Sequence, residues 1–132
     1  MTPQQLNQLI AAAQAVREKA YCPYSHYPVG AALLTKSGDI IDGCNVENAA
    51  FGDTICAERT AAVKAVSQGQ KDFEAIAVVT ENGGSPCGSC RQFLYEFAPD
   101  LLVILANGAG EIQMQVVLSE LLPQGFGPSS LP

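Results

Sequence analysis

Residues 75–106, AIAVVTENGGSPCGSCRQFLYEFAPDLLVILA, decide the fold. Ala75 to Thr80 is a short apolar run rich in β-branched residues, the kind buried on both faces of a sheet. Glu81 to Ser85 is a glycine-containing loop. Ser85-Pro86 then opens a helix that runs to about Phe97, before Pro99 stops it. Leu101 to Ala106 is a second apolar strand. Strand, helix and strand in this order make a right-handed crossover that lays the two strands parallel.

Working outward, Thr2-Pro3-Gln4-Gln5 reads as a helix start, with Thr as N-cap, Pro at the first helical position and Gln closing a capping box. Leu6, Leu9, Ile10, Ala13, Val16 and Ala20 follow at helical spacing. The aromatic and proline-rich stretch Tyr21 to Pro28 ends that helix. Val29 to Thr35 and Ile40 to Cys44 form a hairpin about Lys36-Ser37-Gly38-Asp39. Asn45 to Thr54 is a loop, and Cys56 to about Gln68 is an Ala-rich helix with Gly69 as its cap. Ile112 to Val116 follows the turn Asn107-Gly108-Ala109-Gly110, and Leu118 to Leu122 is a short helix before a Gly/Pro tail. The order α-β-β-α-β-α-β-β-α contains two β-α-β crossovers, each expected to place parallel strands side by side. The fold class is α/β: a three-layer α-β-α sandwich on a mixed five-stranded sheet. No repeat or linker divides the chain, so residues 1–132 read as one domain.

The chain has 132 residues, of which 48% are hydrophobic and 15% charged, the composition of a compact globule. No apolar run approaches the roughly 20 residues that span a bilayer. The polar start MTPQQLNQ is unlike a secretory leader, which places the protein in the cytoplasm. A net charge of −6 without a basic cluster repels polyanions and points away from nucleic acid and towards a small neutral ligand. Five cysteines, an odd number in a cytoplasmic chain, favour metal binding or catalysis over a disulfide framework.

Cys87-Gly88-Ser89-Cys90 is a C-x-x-C at a helix start, a pattern shared by zinc knuckles and redox sites. Cys56 stands at a second helix start near the same edge of the proposed sheet, so three sulfurs can converge. Three protein ligands leave the fourth tetrahedral position of a zinc ion open, which is the catalytic arrangement. Glu58 lies two residues beyond Cys56, on the first helical turn. A ligand-x-Glu element followed by Pro-Cys-x-x-Cys is the pattern of zinc deaminases, in which the Glu moves protons and is not a ligand. Zinc lowers the pKa of water, and Glu58 serves as base and then as acid in attack on an amidine-like ring carbon. Three thiolates make the zinc centre formally −1. The two helix N-termini, each worth ~0.3–1 kcal/mol, and Arg59 donating to a ligand sulfur offset that charge.

These residues resemble one family, the small homotetrameric cytidine deaminases, over nearly the whole chain. The likeness rests on Tyr21 to Leu34, Gly43-Cys44-Asn45-Val46-Glu47-Asn48-Ala49, Cys56-Ala57-Glu58-Arg59-Thr60-Ala61, Ser85-Pro86-Cys87-Gly88-Ser89-Cys90-Arg91-Gln92 and Glu120-Leu121-Leu122-Pro123. It implies a cytidine deaminase-like fold, one zinc ion per subunit, and hydrolysis of cytidine and deoxycytidine to uridine and deoxyuridine with loss of ammonia, as in pyrimidine salvage. It also implies a homotetramer with shared active sites. Asn45 and Glu47 match the family's ribose-binding pair, and Tyr27 matches the aromatic residue against the pyrimidine, where Phe is common. Backbone groups of Ala57 are implied at the base, and Ala49 lies in the nucleoside-contacting loop. Phe126 resembles the aromatic that a neighbouring subunit inserts over the substrate, while Tyr24 and Phe51 match positions near subunit contacts. Ala62 in place of a larger aliphatic residue and Ser89 in place of Ala depart from the usual pattern.

Three other readings stand beside this one. The cysteines suit a non-enzymatic structural zinc site completed by Cys44 or His26, or a redox pair at Cys87 and Cys90. The same chemistry on another aminopyrimidine, such as blasticidin S, also fits the cysteine motifs, although Asn45, Glu47 and Phe126 favour a nucleoside. Cys22 and Cys44 read as buried free thiols. Arg91 reads equally as support for the metal loop and as a surface or interface residue.

Overall fold

A computed structural model of the chain describes all 132 residues. Helix α1 (Pro3–Arg17) leads to strands β1 (Gly30–Thr35) and β2 (Ile40–Cys44), then helix α2 (Ala57–Ser67) and strand β3 (Phe73–Val79). Helix α3 (Gly88–Tyr95), strands β4 (Leu102–Ala106) and β5 (Ile112–Val117) and the single turn α4 (Leu118–Leu121) complete the fold. The five strands form one mixed sheet in the order β2-β1-β3-β4-β5.

The start of α1 follows from its sequence, because the Thr2 hydroxyl accepts from the Gln5 N–H at 3.1 Å and the Gln5 side chain returns a bond to the Thr2 N–H at 2.9 Å. The helix ends at Arg17, three residues short of the last position in the expected stripe, and the chain turns through Lys19 and Ala20 instead. Leu9, Ile10 and Ala13 bury the inner face of α1 against Ala32, Leu34, Ala75, Ala77 and Ile104 on one side of the sheet. The opposite side carries α2 and α3, and its larger core joins Leu33, Ile76, Val78, Leu94, Val103 and Leu118.

The two expected crossovers do not give two adjacent parallel pairs. Only β3 and β4 are parallel neighbours; β2 and β3 are separated by β1, which pairs antiparallel with both. Burial explains the insertion. Every residue of β1 is buried, so it belongs inside the sheet, whereas β2 alternates between half-buried and buried positions and suits the edge. The far edge, β5, is exposed from Ile112 to Gln115, where Gln113 and Gln115 alternate with Ile112 and Met114.

Helix α2 lies unusually close to β2. Ala57, Ala61, Ala62 and Ala65 are fully buried along its inner face. A Cβ on Gly43 would stand 2.5 Å from the Ala61 nitrogen, so only glycine admits the helix here. Both α2 and α3 start beyond the C-terminal ends of strands, β2 and β3, that run the same way. Their N-termini therefore meet at one end of the sheet, as the sequence implied.

Candidate active site

Cys56 and Cys87 are the N-caps of α2 and α3, with nearly equal backbone angles of φ −69°, ψ 153° and φ −66°, ψ 165°. The helix expected to open at Ser85-Pro86 begins at Gly88 instead, because the Cys87 sulfur caps it by accepting the Cys90 N–H at 3.4 Å. The Ser85 hydroxyl, freed from capping, accepts from Arg91. Cys90 sits one turn in and is fully buried.

The Sγ atoms of Cys56 and Cys87 are 3.9 Å apart, those of Cys87 and Cys90 are 3.4 Å apart, and all three lie within 4.8 Å of one another. Sulfurs about 2.3 Å from a tetrahedral zinc ion stand about 3.8 Å apart, so the triad fits that ion with small adjustments. All five cysteines are free thiols, and neither Cys44 nor His26 joins the cluster. Cys22 and Cys44 are half-buried, less enclosed than expected. A structural site would need a fourth protein ligand, and the cluster offers none.

The protons in this triad are unevenly shared. The hydrogen bond from Cys90, aided by Arg59, holds the Cys56 thiol down at about 5. The same bond to Cys56, together with burial, pushes Cys90 well above the usual thiol range. Of the two, Cys56 is the thiol more readily ionised, and ligation by Cys90 releases a proton. Arg59 Nη2 donates to Cys56 Sγ at 3.8 Å and to the Thr54 carbonyl at 3.2 Å, while its Nε is buried without a partner.

Glu58 is only 5% exposed. Burial, reinforced by the neighbouring Cys56 thiolate, pushes its carboxyl up to about 7. A carboxyl at that value both accepts and donates a proton near neutral pH.

A cleft of about 460 Å³ opens beside the triad and is lined by Glu58, Cys56, Cys87, Ala57, Asn45, Glu47 and Tyr27. Its size is that of a small-molecule site. Asn45, 7% exposed, accepts the Val29 N–H at 2.9 Å and donates to the Tyr27 carbonyl at 3.0 Å. One amide hydrogen and one lone pair remain for a ligand. Glu47 accepts the N–H groups of Tyr24 and Ser25 at 3.0 and 3.1 Å and the Ser25 hydroxyl. That hydroxyl above all, with the two N–H groups, keeps the carboxyl below the usual range and therefore charged. The Tyr27 hydroxyl donates to Asn82 Oδ1 at 2.6 Å.

Two of the residues expected to bind substrate lie outside the cleft. Ala49 is exposed on the loop beyond Glu47, and Phe126 is 48% exposed on the C-terminal tail. Sequence reasoning missed Ser25, Thr54, Val78, Thr80 and Gly84, which also line the cleft. Val78 and Thr80 were legible in principle, since residues at the C-terminal end of an inner parallel strand face a crevice. Ser25 and Thr54 come from loops folded back across the sheet end, and no spacing rule announces them.

Arg91 is half-buried and supports the metal loop. Its Nε donates to the Pro86 carbonyl and its Nη1 to the Leu121 carbonyl, each at 2.8 Å.

A sulfur triad with no fourth protein ligand, facing a cleft at the C-terminal ends of sheet strands, defines an α/β protein with an open zinc site. The description "Cytidine and deoxycytidylate deaminase zinc-binding region" belongs to the family model that matches residues 3–106. A cytidine deaminase of Halalkalibacterium halodurans is 53% identical over 121 residues, covering 89% of this chain and 91% of that protein. One from Sporosarcina psychrophila is 48% identical over 129 residues, covering 96% and 94%. The crystal structure of the cytidine deaminase from Burkholderia pseudomallei superposes with a TM-score of 0.87 at 47% identity, covering 96% of this chain and 100% of that one. The chain belongs to the cytidine and deoxycytidylate deaminase family, and its fold is the cytidine deaminase-like α/β fold.

Proposed function

We propose that the protein is a zinc-dependent hydrolase that converts cytidine and deoxycytidine to uridine and deoxyuridine, releasing ammonia. The observation that carries this reading is the buried Glu58 carboxyl beside three convergent thiols, in one cleft with Asn45 and Glu47. Cys56, Cys87 and Cys90 hold the metal. When bound, zinc supplies the Lewis acidity that makes water ionisable near neutral pH.

The chain's own residues carry the protons. Glu58 takes one from water as its oxygen bonds to the amino-bearing ring carbon, and passes it to the adjacent ring nitrogen. It then delivers the second proton to the amino group, which leaves as ammonia while the carbon keeps the oxygen as a carbonyl. A carboxyl at about 7 suits both transfers. Arg59, donating to Cys56, draws negative charge away from the site.

Asn45 and Glu47 hold the sugar, one offering a donor and an acceptor and the other a fixed carboxylate. Tyr27 packs against the pyrimidine, and backbone groups of Ala57 meet the base. Ala49 belongs to the loop that contacts the nucleoside. Phe126 serves a neighbouring copy, in keeping with its place outside its own cleft. An exposed apolar pair supports assembly into a homotetramer: Phe51 is 73% exposed and stacks edge-on with Tyr24 at 5.6 Å. We take residues 1–132 as one catalytic domain working in the cytoplasm in pyrimidine salvage, without nucleic-acid or membrane partners. The net charge of −6 favours that choice, and no helix is long and apolar enough to cross a membrane.

The test is ammonia release by zinc-loaded protein from cytidine, deoxycytidine and blasticidin S. Turnover of both nucleosides with uridine or deoxyuridine as product supports the reading. Activity on the antibiotic alone, or zinc without ammonia, refutes it.

A further inference from the structure

The residues that follow the last cysteine reach backwards and forwards at once. Arg91 donates back to the Pro86 carbonyl and to the Ser85 hydroxyl, immediately before Cys87. With Cys90 as its chain neighbour, it closes a ring around the Cys87–Cys90 loop. Its third bond goes forward, to the Leu121 carbonyl at 2.8 Å, where α4 ends.

The segment beyond Leu121 is fastened to the same helix. Gln92 Nε2 donates to the Phe126 carbonyl at 2.8 Å. The Tyr95 ring packs on the backbone at Gly125, where an added Cβ would meet Cζ at 2.7 Å. Arg91, Gln92 and Tyr95 thus hold the tail along α3, while the N-terminus of α3 holds two of the three sulfurs. The planar guanidinium, with its fixed fork of donors, suits such a three-way joint, and an ammonium does not.

We propose that Arg91 is a positioning residue that fixes Cys87 against Cys90 and joins the metal loop to the C-terminal tail, so that zinc occupancy and docking of the Phe126 segment are coupled. The proposal rests on the reading of the three cysteines as zinc ligands. Outer partners that orient metal ligands typically change metal affinity roughly 10- to 100-fold when removed. Coupling between two sites is reciprocal, so loosening the tail loosens the metal and removing the metal loosens the tail.

The experiment follows zinc transfer from loaded, full-length protein to a chromogenic chelator, together with amide hydrogen exchange across residues 119–127. Arg91→Ala is expected to release zinc about tenfold faster or more, with raised exchange in the tail. Gly125→Val, which forces the tail off Tyr95, is expected to speed zinc release although it touches no ligand. Wild-type protein stripped of zinc is expected to exchange faster at 121–127. Should Arg91→Ala fail to fold, Arg91→Lys is expected to lie between it and wild type. Release at the wild-type rate in all three variants, or tail exchange indifferent to zinc, overturns the coupling. Wild-type protein that binds no zinc at all overturns the functional reading itself, a result distinct from either.

Discussion

Arg59 Nη2 lies 3.8 Å from Cys56 Sγ while the Thr54 carbonyl holds the same nitrogen at 3.2 Å. The guanidinium is therefore fixed as a donor to one sulfur and has no carboxylate to neutralise it. In a site with three thiolates this is the full positive charge that donates to a ligand sulfur, and the two helix N-termini add partial charge. Arg59→Ala should weaken zinc binding by roughly 10- to 100-fold, or slow turnover to a similar extent. Metal titration and steady-state kinetics on the same preparation read both. Full zinc content with an unchanged rate contradicts the role.

The Tyr27 hydroxyl and Asn82 Oδ1, 2.6 Å apart, tie the aromatic wall of the cleft to the loop that leads into Pro86 and Cys87. A hydrogen bond of this kind contributes about 0.5–1.5 kcal/mol net. Tyr27→Phe and Asn82→Ala should each raise KM for cytidine by about two- to tenfold, leave kcat nearly unchanged, and show no further loss when combined. Additive effects in the double variant contradict the pairing.

Glu47 gives a pH signature. Hydrogen bonds from Ser25 and Tyr24 hold its folded-state carboxyl below the ordinary value of 4.5. Its contribution to stability is therefore complete above about pH 4.5 and disappears as pH falls through the folded-state value. Melting curves of zinc-free wild type and Glu47→Gln should differ at neutral pH and converge as pH falls below 4.5 through the folded-state value. A gap that does not narrow in acid contradicts it.

Gly43 tests the seating of α2. A methyl group there meets the Ala61 nitrogen at 2.5 Å and the Thr60 Cβ at 2.9 Å. Gly43→Ala should destabilise the fold by about 1–3 kcal/mol, the usual range for overpacking. Because α2 carries Cys56 at its N-cap, zinc release should accelerate as well. Denaturant unfolding and chelator transfer give the two readings, and an unchanged midpoint contradicts the close approach.

Much of the fold was legible because local chemistry dictated it. The Thr2 capping box, the hairpin at Ser37-Gly38, and the apolar runs at 75–80 and 101–106 all appear within a residue or two of the expected bounds. The position of β1 between β2 and β3 was not legible from connectivity, since crossover rules fix handedness and direction but not which strand fills the gap. Its uninterrupted burial was the clue. The sulfur triad followed from helix starts at one sheet end. The capping sulfur of Cys87, the clamp made by Arg91 and the Ser25 bonds to Glu47 arise from side chains meeting across loops, and periodicity carries no trace of them.

The central claim is that Glu58 moves the protons. Zinc-loaded Glu58→Gln, with its metal content and melting temperature checked against wild type, should lose cytidine turnover by about 10²- to 10⁴-fold, the range for a general acid–base. A folded, zinc-loaded Glu58→Gln protein that releases ammonia from cytidine at the wild-type rate would contradict the account at its base.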